Sequence, residues 1–168
     1  MVSEMPRAGD EAPDFTSLST DGEFTLSQRV KNGPVLLYFY VVDYGKTCTE
    51  YIEQLNERSE EFRKRNITLY QVNHDTIEVH RKWMKHTGSD YQIITDPEKA
   101  ISKSFGCIVT KARSDKILGY PNRGFFLIGS DMKVLYAWQA DWPNDTVPMD
   151  ELFSAIDSAI GTDVNGAE

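Results

Sequence analysis

The chain has 168 residues, 40% of them hydrophobic and 26% charged, with Lys plus Arg at 18, Asp plus Glu at 26 and a net charge of -8. That is one domain's length, enough for a real core without disulfide or metal staples, and the composition excludes a disordered or low-complexity chain. The acidity argues against nucleic acid or an anionic membrane as partner. The longest apolar run, residues 35–42, falls far short of the roughly 20 residues of a bilayer span. The opening MVSEMPRAGDEAPDF has no apolar run behind Arg7 and does not read as a secretory signal. The expected setting is cytoplasmic.

In chain order, Phe15–Leu18 and Glu23–Leu26 alternate around Asp21-Gly22 and predict a small hairpin. Val35–Val42 is apolar on both faces, the pattern of a strand covered on both sides of a sheet. A short loop, Asp43–Lys46, leads to an amphipathic helix over Cys48–Arg65 with Tyr51, Ile52, Leu55 and Phe62 on one stripe. A strand over Ile67–Val72 and a helix over Ile77–His86 follow, with Gly88 as the stop. Ile93-Ile94 is a short apolar piece. Asp96-Pro97 opens a helix to Phe105-Gly106, and Thr110–Lys116 is a polar loop. Gly124–Ile128 and Lys133–Trp138 predict a second hairpin, Pro148–Ile160 a closing helix, and residues 163–168 a flexible tail behind a single domain of residues 1–162. A βαβ unit, a helix, a hairpin and a last helix is the order of the α/β thioredoxin fold, a central mixed sheet flanked by helices, here with an added N-terminal β-hairpin. In that fold the hairpin's first strand lies antiparallel beside the first central strand. Arg123, at the start of one, is thereby brought near Cys48, just past the end of the other.

Two cysteines, Cys48 and Cys107, without a C-x-x-C, cannot make a thiolate zinc site. His74, His80 and His86 fall six apart, a spacing that puts no two neighbours on one helix face, so they read as solvated or half-buried side chains. No metal or cofactor is expected. Thr47-Cys48-Thr49-Glu50 fits a capping box with Thr47 as N-cap and Cys48 as the first helical residue. The sulfur would then sit by unpaired N–H groups at the positive helix end, and a nearby arginine would add to the field. That pattern fits a reactive thiolate. It fits equally well a small residue in a tight strand-to-helix turn.

Further residues carry a resemblance. Gly9–Phe15 resembles an opening G-D-x-A-P-D-F, and Asp21-Gly22 with Leu26-Ser27 resembles the D-G…L-S that follows it. Val35–Tyr40 stands as the strand entering the site, Val72–Asp75 where V-S-x-D is expected, Thr95–Pro97 for S-D-P, Phe105-Gly106 for Y-G-V, and Arg123–Ile128 for R-x-x-F-x-I. In this order around one cysteine, these pieces resemble a peroxiredoxin of the AhpC/TSA superfamily, nearest the bacterioferritin-comigratory (PrxQ-like) branch. The resemblance implies a thiol-dependent peroxidase. Cys48 aligns with the thiolate that attacks a hydroperoxide and becomes a sulfenic acid, and Arg123 with the arginine that stabilises the thiolate and orients the peroxide.

This chain departs from the family's P-x-x-x-T-x-x-C motif: Val41 stands for the Pro, Gly45 for the Thr, and Glu53 where a resolving cysteine would be. Cys107 falls in the apolar slot of Y-G-V and reads as a buried structural cysteine, with a resolving partner for Cys48 as the alternative. The expectation is a one-cysteine peroxidase that reduces hydrogen peroxide or organic hydroperoxides, is itself reduced by an external thiol, thioredoxin-like or small, and works as a monomer or homodimer. The alternatives are a catalytically weakened redox sensor or binding protein, and a thioredoxin-like thiol–disulfide exchanger. A hydroxyl within reach of the Cys48 sulfur would favour the peroxidase, and a cis Tyr120–Pro121 bond the exchanger.

Overall fold

No side chain of Val35–Phe39 reaches solvent, so this strand has to lie inside a sheet covered on both faces. The computed structural model describes residues 2–145 and 148–167. Its strands are β1 (Thr16–Ser19), β2 (Gly22–Thr25), β3 (Val35–Phe39), β4 (Thr68–Asn73), β5 (Ile93–Thr95), β6 (Gly124–Ile128) and β7 (Val134–Gln139). They form one sheet in the order β2-β1-β5-β4-β3-β6-β7. β3 is parallel to β4 and antiparallel to β6, with Phe39 opposite both Val72 and Gly124. The helices are α1 (Leu26–Arg29), α2 (Lys46–Glu57), α3 (Ser59–Lys64), α4 (Ile77–Thr87), α5 (Ala100–Ser104) and α6 (Met149–Ala167). This is the expected thioredoxin-type order with the added hairpin.

The pleat of β3 and β6 divides the core in two. Leu36, Tyr38, Tyr40, Phe125 and Leu127 face one side, where they meet α2 and α6 through Ile52, Leu55, Leu152 and Ile156. Val35, Leu37, Phe39, Phe126 and Ile128 face the other, against Phe24, Ile101 and Phe105. Cys48 belongs to the first cluster and Cys107 to the second.

Several boundaries differ from the sequence reading. The helix expected over Cys48–Arg65 is two helices, because at Arg58 (φ -102°, ψ 11°) the backbone leaves the helical path and the Arg58 N–H turns to Leu55 O. The helix expected from Asp96 starts at Ala100, because Lys99 is left-handed at φ 61°. Asp96 instead serves it from outside, its buried carboxylate accepting from the N–H groups of Ile101 and Ser102 and from the Ser102 hydroxyl. β3 ends at Phe39 rather than Val42, where its pairing with β4 and β6 runs out. The backbone of α6 stays helical to Ala167, where a tail from residue 163 was expected.

At Gly124 the close approach of its neighbours leaves no room for a side chain. A Cβ there would stand 2.8 Å from Cys107 Sγ and 3.1 Å from the Trp138 carbonyl oxygen. Gly124→Ala should therefore destabilise the protein by roughly 1–3 kcal/mol, the usual cost of overpacking. In a Cys107→Ala background the penalty should shrink, because the nearest obstructing atom is gone. Urea unfolding of the four proteins measures this coupling; additive losses would mean that the Trp138 carbonyl, not the thiol, sets the limit.

Candidate active site

β3 and β6 deliver two side chains to the same sheet end. Beyond β3 the chain crosses residues 40–45 into α2, and Arg123 immediately precedes β6. Because Phe39 and Gly124 are paired, Arg123 arrives beside the start of α2. Its Nη2 donates to Cys48 Sγ at 3.4 Å, as the topology led one to expect. Nη1 donates to the Tyr38 hydroxyl at 2.6 Å and Nε to the Pro143 carbonyl at 3.1 Å. The guanidinium carbon lies 4.4 Å from the centre of the Tyr51 ring. Arg123 is 1% exposed and Cys48 4% exposed. Burial alone would favour loss of the arginine's proton, but Tyr38 and Cys48 outweigh it and hold the guanidinium above its ordinary value. Burial likewise keeps the Tyr38 phenol well above its usual range, so it stays neutral.

The capping-box reading is corrected. The N-cap is Gly45, not Thr47, and no side chain caps the helix. Lys46, Thr47 and Cys48 are the first three helical residues, and the first intrahelical bond is Thr49 N–H to Gly45 O at 2.8 Å. Cys48 thus sits in the third position of the first turn, still among the unpaired amide groups and the positive end of the helix. The Thr49 hydroxyl is occupied, donating to the Gly45 carbonyl. Among the described residues no hydroxyl hydrogen-bonds the Cys48 sulfur; Arg123 does.

Gly45 is extended at φ -65°, ψ 139°, and the left-handed residue of the loop is Tyr44 at φ 65°. A Cβ on Gly45 would stand 3.6 Å from Cys48 Sγ. Val41, at the motif's Pro position, is buried.

The sequence reading missed what holds this loop. His80, expected at the surface or half buried, is fully buried in α4 with Nδ1 2.8 Å from Asp43 Oδ2. Its other ring nitrogen faces the Asn73 carbonyl at 3.4 Å. The Tyr40 hydroxyl donates to the other Asp43 oxygen, and the Asp43 N–H donates to Asp75 Oδ2 at 3.0 Å. The Asn73 amide donates to the Tyr40 carbonyl at 2.7 Å. The signal available in the sequence was a polar Asp43 in an otherwise apolar strand exit, but its partner lies 37 residues away.

Cys107 is fully buried, donates to the Asn122 carbonyl at 3.3 Å, and is pushed by burial well above its ordinary value of 9.0. It lies on the opposite face of the sheet from Cys48 and both thiols are free. The Tyr120–Pro121 bond is trans, so the feature that pointed to a disulfide exchanger is missing.

A thioredoxin-type sheet that presents a lone cysteine at a helix start against a buried arginine defines a thiol-enzyme class. The AhpC/TSA family model matches residues 8–137, most of the chain, and the chain belongs to that family, the peroxiredoxins. A curated relative named 1-Cys peroxiredoxin PER1 from Triticum aestivum is 29% identical over 160 residues, which are 90% of this chain and 72% of the relative. The chloroplastic 2-Cys peroxiredoxin BAS1 of Hordeum vulgare is 30% identical over 139 residues, 76% of this chain and 63% of that protein. Among solved structures, the reduced 2-Cys peroxiredoxin of Plasmodium vivax superposes with a TM-score of 0.80 at 26% identity, covering 94% of this chain and 98% of that one. A PrxQ of Xylella fastidiosa does so with a TM-score of 0.79 at 21% identity, covering 93% and 98%. The chain is a thiol-dependent peroxidase.

The two thiols should separate cleanly under alkylation. Raising the pH to about 9 ionises an ordinary cysteine substantially, but the upward shift of Cys107 keeps it protonated there. Iodoacetamide on the folded protein should label Cys48 alone, and Cys107 only after denaturation, as read by peptide mass. Labelling of both in the folded state would contradict the burial of Cys107.

Proposed function

We propose that Cys48 is the peroxide-reactive sulfur and Arg123 its electrostatic partner. The observation that carries this reading is the bond from a buried, permanently charged guanidinium to a sulfur in the first turn of a helix. The thiolate attacks the distal oxygen of a hydroperoxide. An S–O bond forms as the O–O bond breaks, the sulfur loses two electrons, and the leaving alkoxide takes a proton to become an alcohol (or water). Arg123 and the amides of the first helical turn face the charge that moves. The sulfenic acid then condenses with an external thiol to a mixed disulfide and water, and a second thiol releases Cys48 as the external pair leaves oxidised.

Hydrogen peroxide and organic hydroperoxides are the substrates of this reading. The external thiol is thioredoxin-like or small; a yeast mitochondrial 1-Cys peroxiredoxin of similar fold is described as resolved through glutathione/thioredoxin systems. Two free thiols suit a reducing, cytoplasmic setting.

Stoichiometric hydrogen peroxide followed by mass measurement tests the assignment. Cys48→Ser should abolish peroxide consumption and Cys107→Ser should leave most of it. Arg123→Met should slow Cys48 oxidation by at least tenfold, since it removes the only side-chain donor to the sulfur among the described residues. Equal losses from the two cysteine variants would point to a two-cysteine cycle instead.

The absent hydroxyl predicts a rate below that of relatives with the full motif. Losing one positioned donor at a developing charge costs about 3 kcal/mol, or two to three decades. The extended backbone of Gly45 accepts a β-branched residue, and a Cβ there would stand 3.2 Å from Val42 Cγ1 and 3.4 Å from the Val42 carbonyl oxygen. Gly45→Thr alone should therefore raise the second-order rate with hydrogen peroxide at least tenfold. A stability gain of a few tenths of a kcal/mol with no gain in rate would mean that the new hydroxyl caps α2 rather than meeting the peroxide.

A further inference from the structure

The pocket that opens onto Cys48 has a volume of about 270 Å³. Hydrogen peroxide would occupy a small part of it. Val41, Val42, Ile117 and Pro143 give it apolar walls, and Gly45 leaves open the space beside the sulfur that a side chain would take. Its charge has one sign. Lys46 and Arg113 line it together with Arg123, and no Asp or Glu is among its described lining residues, in a chain whose net charge is -8. Lys46 and Arg113 are exposed and form no ion pair among the described residues, whereas neighbouring Lys111 is held by Asp141 at 2.6 Å. The mouth of an acidic protein is therefore cationic, apolar and larger than the smallest peroxide requires.

We propose that this pocket selects aliphatic hydroperoxides that carry a carboxylate. The hydroperoxide group meets Cys48 and Arg123, the hydrocarbon runs along the apolar wall, and the carboxylate sits at Lys46 and Arg113. The redox step is the one already written: the sulfur takes the distal OH, and the product is the hydroxy acid, its carboxylate unchanged. The selectivity rests on the peroxidase reading and adds a substrate class to it. An exposed ion pair in water is a modest interaction, worth roughly two- to threefold each. Two such contacts should favour the acid over its neutral ester by roughly three- to tenfold at low ionic strength, less as salt screens them.

The test uses pre-reduced protein without added thiol, so the charge of a reductant does not enter. Cys48 oxidation is followed in stopped flow with a linear alkyl hydroperoxide bearing a terminal carboxylate, with its methyl ester, and with hydrogen peroxide, all below micelle-forming concentrations. The acid-to-ester rate ratio should lie between about three and ten at low salt and fall toward one in high salt. In the double variant Lys46→Glu with Arg113→Glu it should drop below one. Because the readout is a ratio within one protein, an overall loss of activity in that variant does not mimic it. A ratio of one in the unsubstituted protein, with hydrogen peroxide oxidising Cys48, would overturn the selectivity and leave the peroxidase reading intact. A ratio that survives charge reversal would overturn the assignment to these two cations. Failure of all three peroxides to oxidise Cys48 would overturn both.

Discussion

A guanidinium cannot shed its charge, so burying one commits the surrounding chain to satisfying it. Arg123 is such a group, and among the described residues its partners include no carboxylate: they are a phenol, a backbone carbonyl, an aromatic face and the Cys48 sulfur. The phenol is kept neutral by burial. Of the four, the Cys48 sulfur is the nucleophile of the proposed reaction. The elements around it serve that contact. β6 sets the arginine's position, β3 brings Tyr38 beneath it, and α2 carries both Cys48 and Tyr51 to it. The Pro143 carbonyl and the Asn144 carbonyl, which accepts from the Tyr51 hydroxyl, close the far side.

The same sheet that joins Cys48 to Arg123 separates Cys48 from Cys107. Alternation along β3 and β6 splits the core in two, and one thiol packs in each half. An internal disulfide would have to cross a layer of ladder hydrogen bonds, at a cost far beyond what one S–S bond returns. The burial of Cys107 against Gly124 is a packing requirement, and it supports the proposal that a thiol from outside serves Cys48.

Much of this was legible in the sequence, and the gaps have physical causes. Element order and the approach of Arg123 to Cys48 followed from periodicity and the handedness of crossovers, which are strong, repetitive signals. The start of α2 did not. Thr47 and Glu50 have the spacing of a capping box, yet Gly45 takes the cap two residues earlier because the chain leaving Tyr44 is already extended there. The break at Arg58 lies inside an unbroken amphipathic stripe, which carries no mark of a one-residue departure from helix. His80 was read for metal spacing alone. Its bond to Asp43 is a tertiary pairing, and neither residue's local sequence announces it.

That pairing bears on how the site keeps its shape without the Pro and Thr of the motif. A proline at position 41 would restrict the loop through its ring, and a threonine at position 45 would add a side-chain anchor beside the sulfur. Here Val41 and Gly45 do neither, and Gly45 adds backbone entropy to be lost on folding. The restraint comes from the side instead. Asp43 accepts from Tyr40 and contacts His80, its N–H is held by Asp75, and Asn73 holds the Tyr40 carbonyl. One residue on, the left-handed Tyr44 rests on Trp83 and His86, with ring centres 4.9 Å and 5.3 Å apart. The loop is thus clamped to α4 and to the exit of β4 by buried polar bonds rather than by its own covalent stiffness. Such bonds fix position without filling the mouth. The space a threonine would occupy beside the sulfur stays open, and the positioning of Cys48 is uncoupled from the size of what it can receive.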